Sequence, residues 1–146
     1  MIGEKRTVGQ SFFGSKRCHG KEGPRVESFR ALLRMVAALY RAGVPIVAGT
    51  DAALPGFVLH RELELYVEAG LPRAAVLQLA TLGAARVMKH DAELGSVTAG
   101  KLADLIIVGG DPTLRIQDVR RVMTVIKNGV VYQAAELHRA MGLGPG

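Results

Sequence analysis

The stretch "VPIVAGTDAALPGFVLHRELEL", Val44 to Leu65, opens as an apolar run and breaks at Gly49-Thr50-Asp51. Residues 44–48 are continuously apolar, which predicts a short strand with both faces covered, as in a parallel sheet. Pro45 lacks a backbone donor and belongs at the first residues of such a strand. A loop with Pro55 and Gly56 follows. A helix is then expected over residues 59–69, with Leu59, Leu63, Tyr66 and Val67 inward, Glu62, Glu64 and Glu68 outward, and Gly70 at its end. The strand therefore ends in a carboxylate, Asp51, which has two readings. It is a turn or cap residue, or it is a reactive group, because strand tips in parallel α/β proteins aim side chains into a shared pocket. A carboxylate there can ligate a metal or take a proton from metal-bound water. A catalytic zinc takes about three protein ligands, so Asp51 alone does not complete a site.

Outward from this stretch the pattern remains regular. Phe29, Leu32, Leu33, Val36, Ala37 and Tyr40 share one helical face, with Ser28 as N-cap and Gly43 as the stop. Downstream, Pro72 suits the first turn of a third helix reaching about Ala80, and Thr81 is placed to cap a fourth, "LGAARVM". Beyond His90 the period changes. Residues 103–108 read as a β run, followed by a Gly-Gly-Asp-Pro turn. "VMTVIKNGVVY" reads as a hairpin turning at Asn128-Gly129, and a short helix over residues 133–141 precedes a Gly/Pro tail. The result is half an α/β layer followed by a few strands, with open strand edges that need neighbours.

Composition narrows the function classes. The 146 residues are 49% hydrophobic, with a mean hydropathy of +0.21, which implies surface meant for burial against something else. No apolar stretch approaches the roughly 20 residues of a membrane helix, and the amino terminus shows no compact apolar segment with a cleavage site. A single cysteine, Cys18, fits a reducing compartment, so a cytoplasmic location is expected. The net charge is +6, of which residues 1–25 carry +4 through Lys5, Arg6, Lys16, Arg17, Lys21 and Arg25 against Glu4 and Glu22. The basicity belongs to a leader expected to be solvated and disordered, and neither nucleic-acid nor membrane binding is expected of the body.

The remaining chemistry is sparse. His19, His60, His90 and His138 form no His-x-His or His-x3-His pair. His19 beside Cys18 is a weak ligand signal, and His90 and His138 read as surface residues. His60 either lines a substrate pocket or packs the start of its helix, and the residues leave that open. "GKLADL" lacks the upstream glycine of a phosphate loop, so Lys101 reads as a solvated turn residue.

From about Phe29 onward, "AGVPIVAGTDA", "LHRELELYVEAGL", "ATLGAARVM", "LGSVTAGKLADLIIVGGDP" and "VIKNGVVY", in this order and spacing, resemble the carboxyl-terminal third of metal-dependent amidohydrolases. The likeness is to the imidazolonepropionase-like and dipeptidase-like branch. It implies an α/β fold: the C-terminal part of a (β/α)8 TIM barrel, comprising the last strand and its flanking helices, then a few strands of a small composite β-sandwich. It also implies that Asp51 is both a metal ligand and the proton shuttle for C–N bond hydrolysis, with His60 as a candidate substrate contact. The implied cofactor is a divalent metal, zinc in the first instance. The implied partners are a small amide or dipeptide substrate and the N-terminal barrel portion, on this polypeptide or on a partner chain. The family's paired first-strand histidines, bridging lysine or glutamate and two mid-barrel histidines have no counterparts here, and Leu71 stands where relatives often place a capping Thr or Ser. The expected organisation is a basic leader over 1–26, a barrel segment over 27–92, a β segment over 93–133, and a helix and tail over 134–146. A fragment inactive by itself is expected. The alternative is a non-catalytic interaction module or one part of a split enzyme that folds with a partner.

Overall fold

The computed structural model describes residues 23–51 and 57–142. Cys18, His19, most of the expected leader, the loop holding Pro55 and Gly56, and the tail past residue 142 lie outside the described residues.

Helix α1 (Pro24–Arg41) starts earlier than the expected Ser28 cap, with Gly23 at the N-cap. Pro24 suits a first turn because its missing N–H would have no helical partner there and its fixed φ is already helical. Residues 24–26 thus belong to the helix, not the leader. Ala37 is buried, and Leu33, Val36 and Tyr40 are half-buried. Phe29 and Leu32, expected inward, are exposed together with Val26, Met35 and Leu39. The spacing of these five, three to four residues apart, makes an apolar stripe left uncovered among the described residues.

Residues 44–48, expected to be a strand, enter no ladder among the described residues, nor does the turn over 49–51. A parallel strand needs neighbours at its sides, and the sheet described here is built elsewhere in the chain. Side chains of the next helix hold this segment instead. That helix, α2 (Phe57–Glu68), begins two residues before the expected start. Leu63 is buried as expected, but Glu64 is buried too and Glu62 is half-buried, although periodicity placed both outward. Each carboxylate goes in because it has a partner there, as described below.

Two separately capped helices were expected after Pro72. The chain forms one continuous helical run: α3 (Arg73–Gln78), a π turn (Leu79–Gly83) and α4 (Ala84–Val87). Thr81 caps nothing; its Oγ1 donates to the carbonyl of Leu77 at 2.8 Å, one turn back. Leu71 gives no cap either. It is 3% exposed and joins Leu63, Val76, Ile116 and Val119 in the core.

Strands β1 (Leu105–Val108), β2 (Val122–Lys127) and β3 (Val130–Gln133) form an antiparallel sheet in the order β1-β2-β3. The hairpin turns at Asn128-Gly129 as expected, with φ of 50° and 80°, the pair of positive values that matches strand twist. Asp104 braces it: Oδ1 accepts the Asn128 N–H at 2.7 Å, and Oδ2 pairs with Lys127. Between β1 and β2 runs a 3-10 helix (Ile116–Arg120) that periodicity did not reveal. It carries Ile116 and Val119 under α2 and so joins the sheet to the helices. Helix α5 (Ala134–Ala140) closes the described chain. No helix of the described residues is long and apolar enough to cross a membrane.

Candidate functional site

Asp51 is exposed at the end of the unpaired segment, with φ of 40°. Asp is among the few non-glycine residues that tolerate this left-handed region. No hydrogen bond or ion pair reaches its carboxylate from the described residues, so the backbone sets where it points. Glu62 anchors that backbone: its Oε1 accepts the Gly49 N–H at 3.0 Å and the Tyr66 hydroxyl at 2.6 Å. The Tyr66 oxygen also lies 3.4 Å from the carbonyl of Val47. Burial, together with the hydrogen bond to the Glu62 carboxylate, pushes the Tyr66 phenol well above its ordinary range. Glu62 Oε2 is buried and has no hydrogen-bond partner among the described residues.

His60 stands elsewhere. Positions 60 and 62 of a helix are about 200° apart, so they face opposite ways. His60 lies on the side of Glu64 and Arg120, and its pKa is lowered by burial first and by the Arg120 charge second, against the pull of Glu64. No contact among the described residues brings His60 to Asp51. His90 is exposed, with Nδ1 3.7 Å from Glu93, and His138 is half-buried on α5. Lys101, expected in a solvated turn, donates to the carbonyls of Asp91 and Leu94.

Two carboxylates with structural work were missed in the sequence. Glu64 Oε1 accepts from Arg120 Nε at 2.6 Å, and Oε2 accepts from Arg61 at 3.2 Å. Asp118 is 5% exposed and bonds the Arg115 guanidinium and, at 3.1 Å, the Asp111 N–H. Their only sequence signal is the arginine three residues away from each, a spacing too common on helix surfaces to single them out.

The Arg120 hydrogen bond holds the Glu64 carboxyl below its usual range, with Arg61 helping and burial opposing. A lowered folded pKa stabilises the fold fully above the unfolded value, and that contribution is lost as pH falls through the folded one. His60, also lowered, adds a loss that begins as pH falls through its unfolded value near 6.5. Stability should therefore decline from about pH 6.5 downward and more steeply below about pH 4.5. Glu64→Gln should flatten the steeper part and cost about 1–2 kcal/mol at pH 7, the strength of a charged hydrogen bond discounted because Arg120 is 40% exposed. Urea unfolding at several pH values measures both.

A separate groove of about 840 Å³ opens between the helical run and β1–β2, lined among others by Thr81, Met88, Leu94, Leu102, Ile106 and Val125. It is mostly apolar and includes none of Asp51, Glu62 or His60. Among the described residues no three His, Cys, Asp or Glu side chains are grouped to hold a metal ion. The described residues thus do not by themselves amount to a metal centre.

Helices packed on an open segment with an exposed carboxylate at its tip, followed by a three-stranded antiparallel sheet, make a mixed helix-and-sheet architecture. Residues 26–132 match the amidohydrolase family, and the chain belongs to that family. A Xaa-Pro dipeptidase crystallised with methionine in its active site is 36% identical, with a TM-score of 0.66, over 70% of this chain and 26% of that one. A prolidase candidate from Bifidobacterium longum is 29% identical, with a TM-score of 0.64, over 76% of this chain and 30% of that one. A 5-methylthioadenosine/S-adenosylhomocysteine deaminase from Desulfovibrio desulfuricans is 35% identical over 86 residues, 49% of this chain and 18% of that protein. The chain therefore spans less than a third of the length of each of these relatives.

Proposed function

We propose that residues 24–88 supply the last strand and flanking helices of a (β/α)8 barrel that hydrolyses a C–N bond in a small amide or dipeptide. The observation that carries this is Asp51: within a family match over residues 26–132, it is the exposed carboxylate at the end of an apolar run that enters no ladder among the described residues. Dipeptide cleavage and deamination, the reactions in the relatives' names, both break a C–N bond with water. In that reaction water's oxygen bonds to the substrate carbon while its proton passes to Asp51. Asp51 then delivers the proton to the nitrogen as the C–N bond breaks. His60, on the other face of α2, is given no step.

The reading includes a divalent metal, zinc in the simplest case, with Asp51 as this chain's contribution and the other ligands outside these 146 residues. The uncovered stripe on α1, with both edge strands of the sheet open among the described residues, favours work in assembly with the rest of a barrel. Accordingly the isolated chain should show neither stoichiometric metal nor turnover of a dipeptide. A chimera in which residues 23–142 replace the matching quarter of a Xaa-Pro dipeptidase should show both. Tight zinc and turnover in the isolated chain, or a folded chimera that stays inactive, would count against the proposal.

A further inference from the structure

We infer that Glu62 is a positioning residue for Asp51; this rests on the proton-handling role proposed for Asp51 above. The Asp51 side chain is exposed and meets no described partner, so among the described residues the backbone is what aims it. That backbone turns through φ of 40° at Asp51, a region sparsely populated even though Asp tolerates it better than most residues. Among the described residues, the hydrogen-bonded hold nearest in sequence is two residues back, where Gly49 N–H meets Glu62 Oε1 at 3.0 Å. A hydrogen bond to an ionised acceptor is about twice as strong as one between neutral groups. The Tyr66 hydroxyl, 2.6 Å from the same oxygen and one helical turn along α2, fixes the carboxylate's rotamer.

The other oxygen makes the case more specific. Glu62 Oε2 is buried without a partner among the described residues, an arrangement that lowers stability. What this carboxylate delivers in return is a fixed Gly49-Thr50-Asp51 turn, with two peptide units between the pinned amide and the reacting residue. Helix α2 is a rigid support, because Leu63 and Glu64 beside Glu62 are both buried.

Nuclear magnetic resonance of the whole ¹⁵N-labelled chain tests this. Gly49 should exchange its amide proton slowly, and the Asp51 coupling constant should report a left-handed φ. Glu62→Ala should speed Gly49 exchange about tenfold or more and release Asp51 from the left-handed region, with Val125 in β2 unchanged as the folding control. Glu62→Gln keeps an oxygen acceptor, so it should rescue the Asp51 coupling while the Gly49 proton moves upfield. Tyr66→Phe should leave Gly49 bonded. Unchanged Gly49 exchange and Asp51 coupling in Glu62→Ala would overturn the inference. If that variant fails to fold, an unmoved Gly49 proton in Glu62→Gln overturns it equally. These readouts need no turnover. Loss of the hold therefore sinks the positioning role alone, whereas turnover surviving Asp51→Asn sinks the catalytic reading and leaves the hold in place.

Discussion

Asp51→Asn in the dipeptidase chimera is expected to lower turnover about 10²- to 10⁴-fold, the usual contribution of a positioned proton-transfer group. The substitution separates chemistry from folding. Asn matches Asp in size and tolerates positive φ equally well, so the turn at φ 40° should survive. What is lost is the capacity to take water's proton and return it to the leaving nitrogen. If Asp51 were only turn punctuation, Asn would be among the best replacements and turnover would be nearly unchanged. Steady-state kinetics at matched metal content therefore decide between the two readings that the sequence left open, with kcat carrying the larger loss.

The second large effect is structural and falls in the Gly-Gly-Asp-Pro turn. A Cβ on Gly110 would lie 2.3 Å from Asp118 Oδ2 and 2.6 Å from its Cγ, and φ there is +130°. Asp118 cannot step aside, because it bonds the Arg115 guanidinium and the Asp111 N–H within a buried site. Gly110→Ala thus combines backbone strain with overpacking, and about 3 kcal/mol or more of stability should be lost. Gly129→Ala is the matched control. It too has positive φ, 80°, but nothing stands within 4 Å of an added Cβ, so it should lose only the conformational part. Denaturant unfolding of both variants gives the difference directly.

These cases show what kind of structure is legible in a sequence. Local rules worked where the cause was local. Asn128-Gly129 announced its hairpin because two positive φ values are a property of those two residues. The faces of α1 and α2 were also legible in part, since helical period places Ala37 and Leu63 whatever surrounds them. Long-range causes were not legible. Glu64 reads as solvent-facing until Arg120, 56 residues on, is seen beside it. The 3-10 helix carries too few apolar residues to show a period, yet it buries Ile116 to 2% exposure. Residues 44–48 have strand composition and no ladder, because pairing depends on neighbours and not on the run itself. For the candidate site, Asp51 stood out at the end of that run. Glu62 did not, because the hydrogen bond to Gly49 that gives it meaning spans 13 residues of chain.

The central claim is that this unpaired run is a barrel strand awaiting its neighbours, with Asp51 at its catalytic end. Amide hydrogen exchange at Ile46, Val47 and Ala48, compared between the isolated chain and the dipeptidase chimera, measures it most directly. The expected result is fast exchange in the isolated chain and strong protection in the folded, active chimera, as these amides enter a ladder. Equal exchange in the two would contradict it: the run would then be a connecting segment, and Asp51 the end of a loop.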